Sequence, residues 1–140
     1  MDLGTLHPTL DVNVYGVLRV TQPFLPLLRR STAGRGVDFS STLGSLTVLT
    51  SRPSPFAEVQ AFTYAASKTM PNAVTGWLAV ELRASSITVT SVCPGSNRTD
   101  MNAAGAQPAS EGARIVVRAA ESTNFDPAAG FIDANGPVPW

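Results

Sequence analysis

At 140 residues the chain has room for a single domain. Apolar side chains make up 44% and charged ones 14%, which supports a buried core and excludes a disordered polyelectrolyte. Ten basic residues offset ten acidic ones with no basic run or stripe, so nucleic acid is not an expected partner. The N-terminus lacks the pattern of a signal peptide, and no apolar run is long enough for a membrane span. Cys93 is the only cysteine, which rules out an internal disulfide and fits a cytoplasmic setting. His7 has no partner at ligand spacing, so no metal site is expected.

In chain order, Leu10, Val14, Val17, Leu18, Leu25 and Leu28 recur at helical spacing. They predict a helix over residues 8 to about 30, with His7 in a loop or at the helix entry. Pro23 and Pro26 each remove a backbone donor and predict a kink or a break into two segments. Ser31 to Gly36 is a turn cluster, followed by a short strand from Val37 to Ser41. Residues 46 to 60, with Pro53 and Pro55, read as a loop holding at most a short helical turn. Phe62 to about Arg83 is a long helix. Ile87 to Val92 is a β-branched strand of buried character, and Cys93 at its end reads as a small buried thiol. Gly95 to Gln107 is a loop, Ser110 is a candidate N-cap for a helix running to Ala120, and Ala129 to Ile132 is a final strand. This αβαβαβ order predicts parallel strands joined by crossover helices.

Lys68 is the only lysine among ten basic side chains, and Tyr64 lies four residues before it. On a helix these positions share a face, so the compact ammonium can approach the phenol. A nearby positive charge is expected to lower the phenol pKa from about 10 and make Tyr64 a usable proton donor and acceptor. The same spacing is also ordinary on helices that do no chemistry.

Three further runs stand in register with Tyr64-Ala65-Ala66-Ser67-Lys68. They are Asp11-Val12-Asn13-Val14-Tyr15-Gly16, Ser40-Ser41-Thr42-Leu43-Gly44-Ser45-Leu46-Thr47, and Cys93-Pro94-Gly95 leading to Arg98-Thr99-Asp100-Met101. Together with a tail from Gly130-Phe131 to Pro137-Val138-Pro139-Trp140, they make nearly the whole chain resemble the short-chain dehydrogenase/reductase family, in its carbonyl-reductase-like branch.

The resemblance implies an α/β fold of the Rossmann-like, doubly wound parallel type. The chain would be its C-terminal portion, residues 1–140 as one domain lacking the first strands and the Gly-rich turn that cradles a dinucleotide. It also implies an NAD(P)-dependent oxidoreductase, with NADP(H) favoured and the cofactor site incomplete in this chain. Tyr64 would be the general acid for carbonyl reduction, Lys68 would tune it and bond the nicotinamide ribose, and Ser41 would hold the substrate carbonyl. Asn13, on a kinked helix, would support a water-mediated proton relay to Lys68. Pro94 and Gly95 would lie against the nicotinamide ring, and Thr99 would contact its carboxamide or the phosphates. Ser41 is chosen over Ser40 because the family's catalytic serine is the second of the pair. The partner would be a small carbonyl or alcohol substrate. Ser41 and Tyr64 stand 23 positions apart, and residues 48 to 62 read as an insertion of this branch that goes with a monomeric parent.

Several positions depart from the family pattern. Pro71 follows Lys68 where the family has Leu, and is expected to strain the helix and tilt Lys68 from Tyr64. Asp38 replaces Asn and would bury a carboxylate. Gly36 replaces a β-branched residue and weakens its strand. Ser96-Asn97 replaces Trp-Val. A reductase by descent and a non-catalytic remnant or interaction module of the same fold both fit these features. The missing strands leave the edge at Val37 open, so the chain is expected to be poorly soluble, to self-associate through that edge, or to be partly molten.

Overall fold

The computed structural model describes residues 3–122 and 130–140. Its order is α1 (Leu3–Leu10), a wide turn at Asp11–Tyr15, α2 (Gly16–Leu28), β1 (Arg35–Phe39), a 3₁₀ turn at Thr42–Gly44, α3 (Leu46–Thr50) and α4 (Phe62–Glu81). There follow β2 (Thr88–Val92), β3 (Asn97–Arg98), β4 (Gln107–Pro108), α5 (Ala109–Glu121), β5 (Phe131–Asp133) and β6 (Gly136–Pro137).

The main sheet runs β1-β2-β5-β6. β1, β2 and β5 are parallel, as the alternation of elements requires, and β6 returns antiparallel to β5. Helices cover both faces. On one, Leu82, Ile87 and Val89 pack with Leu25, Leu28 and Leu78 of α2 and α4. On the other, Val92, Ile115, Ala119 and Ile132 pack with Val37 and Val116, joining α5 to the sheet. A third cluster of Cys93, Phe131 and Val138 takes in Val48 of α3. The C-terminal tail closes that end: Ser45 Oγ donates to Pro139 O at 2.6 Å, and the Thr47 N–H donates to Trp140 O at 2.9 Å.

The first helix begins at Leu3 rather than at residue 8, because α1 packs along α4, so His7 lies inside it. The break expected at Pro23 and Pro26 does not occur. Both prolines are exposed inside an unbroken α2, where water can take up the carbonyls they leave free. The irregularity falls at Asp11–Tyr15, around Asn13, where the resemblance implies a kinked helix and the Gly16 N–H reaches back five residues to Asp11 O. The first strand ends at Phe39 rather than Ser41. Gly36 has a packing reason: a Cβ there would stand 3.3 Å from Cγ1 of Val89, its register partner on β2. The expected N-cap at Ser110 is displaced, since α5 starts at Ala109 with Pro108, already at φ −63°, in the capping position. The last strand is Phe131–Asp133, and Ala129, where the sequence starts it, lies outside the described residues.

Candidate functional site

Three segments meet at the C-terminal ends of the parallel strands, the place where open α/β sheets bind ligands. Ser41 follows β1, Pro94 and Gly95 follow β2, and Tyr64 stands in the first turn of α4. A cavity of about 480 Å³ lies between them, with Ser41, Tyr64, Cys93, Pro94, Gly95 and Thr99 on its wall. Asn13 and Lys68 do not line it.

The segment after β1 is held tightly against α4. Ser41 caps the 3₁₀ turn by accepting from the Leu43 N–H at 3.2 Å. Asn72 Nδ2 donates to Gly44 O at 3.2 Å. Gly44 sits so close to α4 that a Cβ would come within 2.7 Å of Lys68 O, so only glycine fits. Ser40 points inward, and its Oγ donates to that same carbonyl at 3.4 Å. Ser41 is left on the same cavity wall as Tyr64, where its hydroxyl acts on the phenol.

Lys68 projects from α4 with its ammonium 5.7 Å from the centre of the Tyr64 ring. Its Nζ donates to Phe39 O at 3.0 Å. Pro71, fully buried, leaves α4 continuous. Burial, however, pushes the Tyr64 phenol above its usual value, the Ser41 hydroxyl pulls it back in part, and Cys93 pushes it up. The expected depression of Tyr64 is therefore reversed: the ammonium sits over the ring face and is bonded to Phe39, and desolvation dominates. Burial also lowers the Lys68 pKa, against an upward pull from Asp38 and then Cys93.

Asn13 lies in the wide turn between α1 and α2, and its Nδ2 donates to Ser67 Oγ at 2.9 Å. Ser67 in turn donates to Tyr64 O at 2.8 Å. Asn13 thus braces the helical turn that carries Tyr64 and Lys68. Asp38 is not an unpaired carboxylate: Thr75 Oγ1 donates to its Oδ2 at 2.7 Å. Burial still raises its pKa, opposed by Thr75 and then by Lys68.

Two groups of residues at the site escaped the sequence reading. Thr42 holds the Cys93 thiol, through its N–H at 3.3 Å and its hydroxyl at 3.1 Å, so this cysteine is fixed in the cavity wall. Asn97 and Gln107 lock the Pro94–Gly95 turn. Asn97 Nδ2 donates to both turn carbonyls at 3.2 Å, and Gln107 Nε2 donates to Pro94 O at 2.9 Å and to Asn97 Oδ1 at 3.0 Å. Asn97, two residues after the Pro-Gly turn, was the available signal for half of the second group, and Gln107 had none.

A parallel sheet covered by helices on both faces, with a hydroxyl-lined cleft at its strand ends, defines a Rossmann-like α/β protein. The family model described as short chain dehydrogenase matches residues 1–110. The chain belongs to the short-chain dehydrogenase family. It is 30% identical to C-signal of Myxococcus xanthus over 142 residues, covering all of this chain and 81% of that protein. It is 36% identical to short-chain dehydrogenase anuI of Penicillium roqueforti, covering 79% of this chain and 46% of that one. In structure it resembles the NADPH-bound carbonyl reductase from chicken fatty liver, with a TM-score of 0.79 at 21% identity, covering all of this chain and 59% of that one. The chain thus spans roughly half the length of two of these three proteins and most of the third.

Proposed function

We propose that the chain carries the acid–base site of an NAD(P)-dependent oxidoreductase that moves a hydride between a nicotinamide and a small carbonyl or alcohol substrate. The observation that carries this reading is the pairing of the Ser41 and Tyr64 hydroxyls on one cavity wall beside the Pro94–Gly95 turn. A substrate carbonyl oxygen placed between them would accept from Ser41 while Tyr64 delivers the proton. The reverse reaction returns that proton from the alcohol to Tyr64. The phenol is protonated at neutral pH, as an ordinary tyrosine is, and burial holds it further in that form, so it has a proton to give.

The residues present fit the nicotinamide end of the cofactor. The Tyr64 hydroxyl on the cavity wall, with the Lys68 ammonium beside its ring, would be donors for a ribose, and Pro94, Gly95 and Thr99 would form a wall for the ring and its carboxamide. A bound nicotinamide would supply or accept the hydride. No Gly-rich turn opens a helix in the sequence, so these 140 residues provide no pyrophosphate cradle of that kind. The NADPH-bound chicken enzyme supports NADP(H) as the preferred form. We place the protein in the cytoplasm as a single domain.

Reduction of a panel of ketones and quinones with NADPH or NADH tests this reading. Tyr64→Phe is expected to lower turnover by about 100-fold or more. Turnover indifferent to that substitution would remove the role given to Tyr64.

A second reading, a non-catalytic module of the same fold, is favoured by the coverage of the relatives. The chain spans 81% of a protein named as a signal and only 46% of one named as a dehydrogenase. It predicts no binding of NADPH or NADH and no difference between wild type and Tyr64→Phe.

A further inference from the structure

Alternation along β1 puts Asp38 and Ser40 on the same face, the one that α4 covers. Ser40 meets the backbone of Lys68. Thr75 stands seven residues beyond Lys68, two turns on and on the same side of α4. Its hydroxyl donates to Asp38 Oδ2 at 2.7 Å and lies 2.9 Å from Ser91 Oγ, which donates to it. Ser91 is the register partner of Asp38 on β2. The Thr75 hydroxyl, itself held by Ser91, therefore fixes this carboxylate beneath the helix that carries Lys68. The Lys68 ammonium reaches the next residue along the strand, bonding Phe39 O at 3.0 Å.

The other charged groups packed around β1 are engaged elsewhere or lie across the sheet. β2 carries no ionisable side chain, and Cys93 follows it. On α4, Tyr64 sits beside Lys68, and Glu81 at the far end pairs with Arg29. Asp11, in the turn packed against α4, pairs with Arg19. Arg35 on β1 donates to Ser122 O. Glu111, Arg114, Arg118 and Glu121 belong to α5 on the opposite face.

We propose that Asp38 is a positioning residue for Lys68, a buried carboxylate fixed by Thr75 that supplies the counter-charge behind the ammonium and keeps it charged at the open side of β1. This rests on the reading of Tyr64 and Lys68 as an acid–base pair. Phe39 gives the ammonium a neutral acceptor and a direction, and Asp38 gives it a charge. Asparagine at position 38 would preserve the hydrogen bond from Thr75 and lose the charge.

The single lysine makes a direct test possible. A chain labelled with [13Cε]lysine gives one lysine side-chain resonance, whose pH titration reports Lys68 without cofactor or turnover. Asp38→Asn is expected to move the Lys68 midpoint to lower pH, because desolvation then acts without the opposing carboxylate. Asp38→Glu is expected to restore at least part of the shift. An unchanged midpoint in a folded Asp38→Asn chain would overturn the proposal. If Asp38→Asn does not fold, the reciprocal measurement decides. With [13Cγ]aspartate, Lys68→Gln should move the Asp38 midpoint upward, and no movement would overturn the proposal. The titration stands apart from catalysis. A coupled lysine in a chain without Tyr64-dependent turnover supports the charge link while removing the proposed reaction. An uncoupled lysine in an active enzyme overturns this proposal alone.

Discussion

Asp38 sets a pH dependence for the stability of the chain. Its folded-state pKa is raised above the ordinary 3.8, with burial as the main cause. A carboxyl raised on folding favours the folded state most fully below its unfolded pKa, and that contribution is lost as pH rises through the folded value. The expected outcome is a Tm that declines as pH climbs from about 3.8 through the higher folded pKa of Asp38. Asp38→Asn should flatten that limb and raise Tm at neutral pH, by about 3 °C for each kcal/mol recovered. Thermal melts of both chains across this range check it, and identical profiles would show that the buried carboxylate carries no penalty. The Tyr64 and Lys68 pair was visible in the sequence because helical spacing alone sets it. The direction of the Tyr64 shift was not visible, because it depends on burial by residues distant in the chain.

At the scale of elements, α4 tests how a helix tolerates an interior proline. Pro71 removes the donor that would bond Ser67 O, yet α4 runs unbroken from Phe62 to Glu81. Proline in a regular helix interior costs about 3 kcal/mol relative to alanine. Pro71 is buried, so truncating it also gives up about 1–2 kcal/mol of packing. Pro71→Ala should therefore stabilise the chain by about 1 kcal/mol, read from the urea midpoint at constant m-value. Destabilisation instead would mean that the ring is worth more to the core than the missing hydrogen bond. The long helix, the buried strand β2 and the parallel order were legible because each has a sustained period or a β-branched run. α1 and the hairpin of β5 and β6 were not, and the wide turn at Asn13 was legible only as the kink that the resemblance implies. The start of α1 is set by packing on α4, the turn is a backbone irregularity without a composition signal, and Gly136–Pro137 is too short to show a period. The cavity was legible in the same uneven way. Ser41, Tyr64, Pro94, Gly95 and Thr99 were chosen by resemblance and line one space, whereas the Asn97 and Gln107 clamp depends on a loop that brings residues ten apart together.

For the whole molecule, the outer side of β1 sets the behaviour of the 140-residue chain expressed alone. Ser40 N–H donates to Val92 O at 2.8 Å, and Gly34 O accepts from Thr88 N–H at 3.0 Å. The even positions therefore face β2, and the backbone groups of Val37 and Phe39 point away from it. Lys68 takes the carbonyl of Phe39, while Val37 offers a donor and an acceptor to an edge that no described strand covers. Phe39 is 56% exposed on that strand, and a short apolar edge of this kind recruits further strands. Light scattering during gel filtration should show an apparent mass that rises with concentration. Phe39→Lys, which places a charge on the edge, should return it to the mass of one chain. Trp77, 70% exposed on α4, offers a competing apolar contact, and Trp77→Lys separates the two. If the edge is the contact, Trp77→Lys leaves the association in place. If Trp77→Lys alone abolishes it, the helix face is the contact. A single-chain mass at every concentration, with a sharp two-state melt, would show that β1 needs no neighbour on its open side.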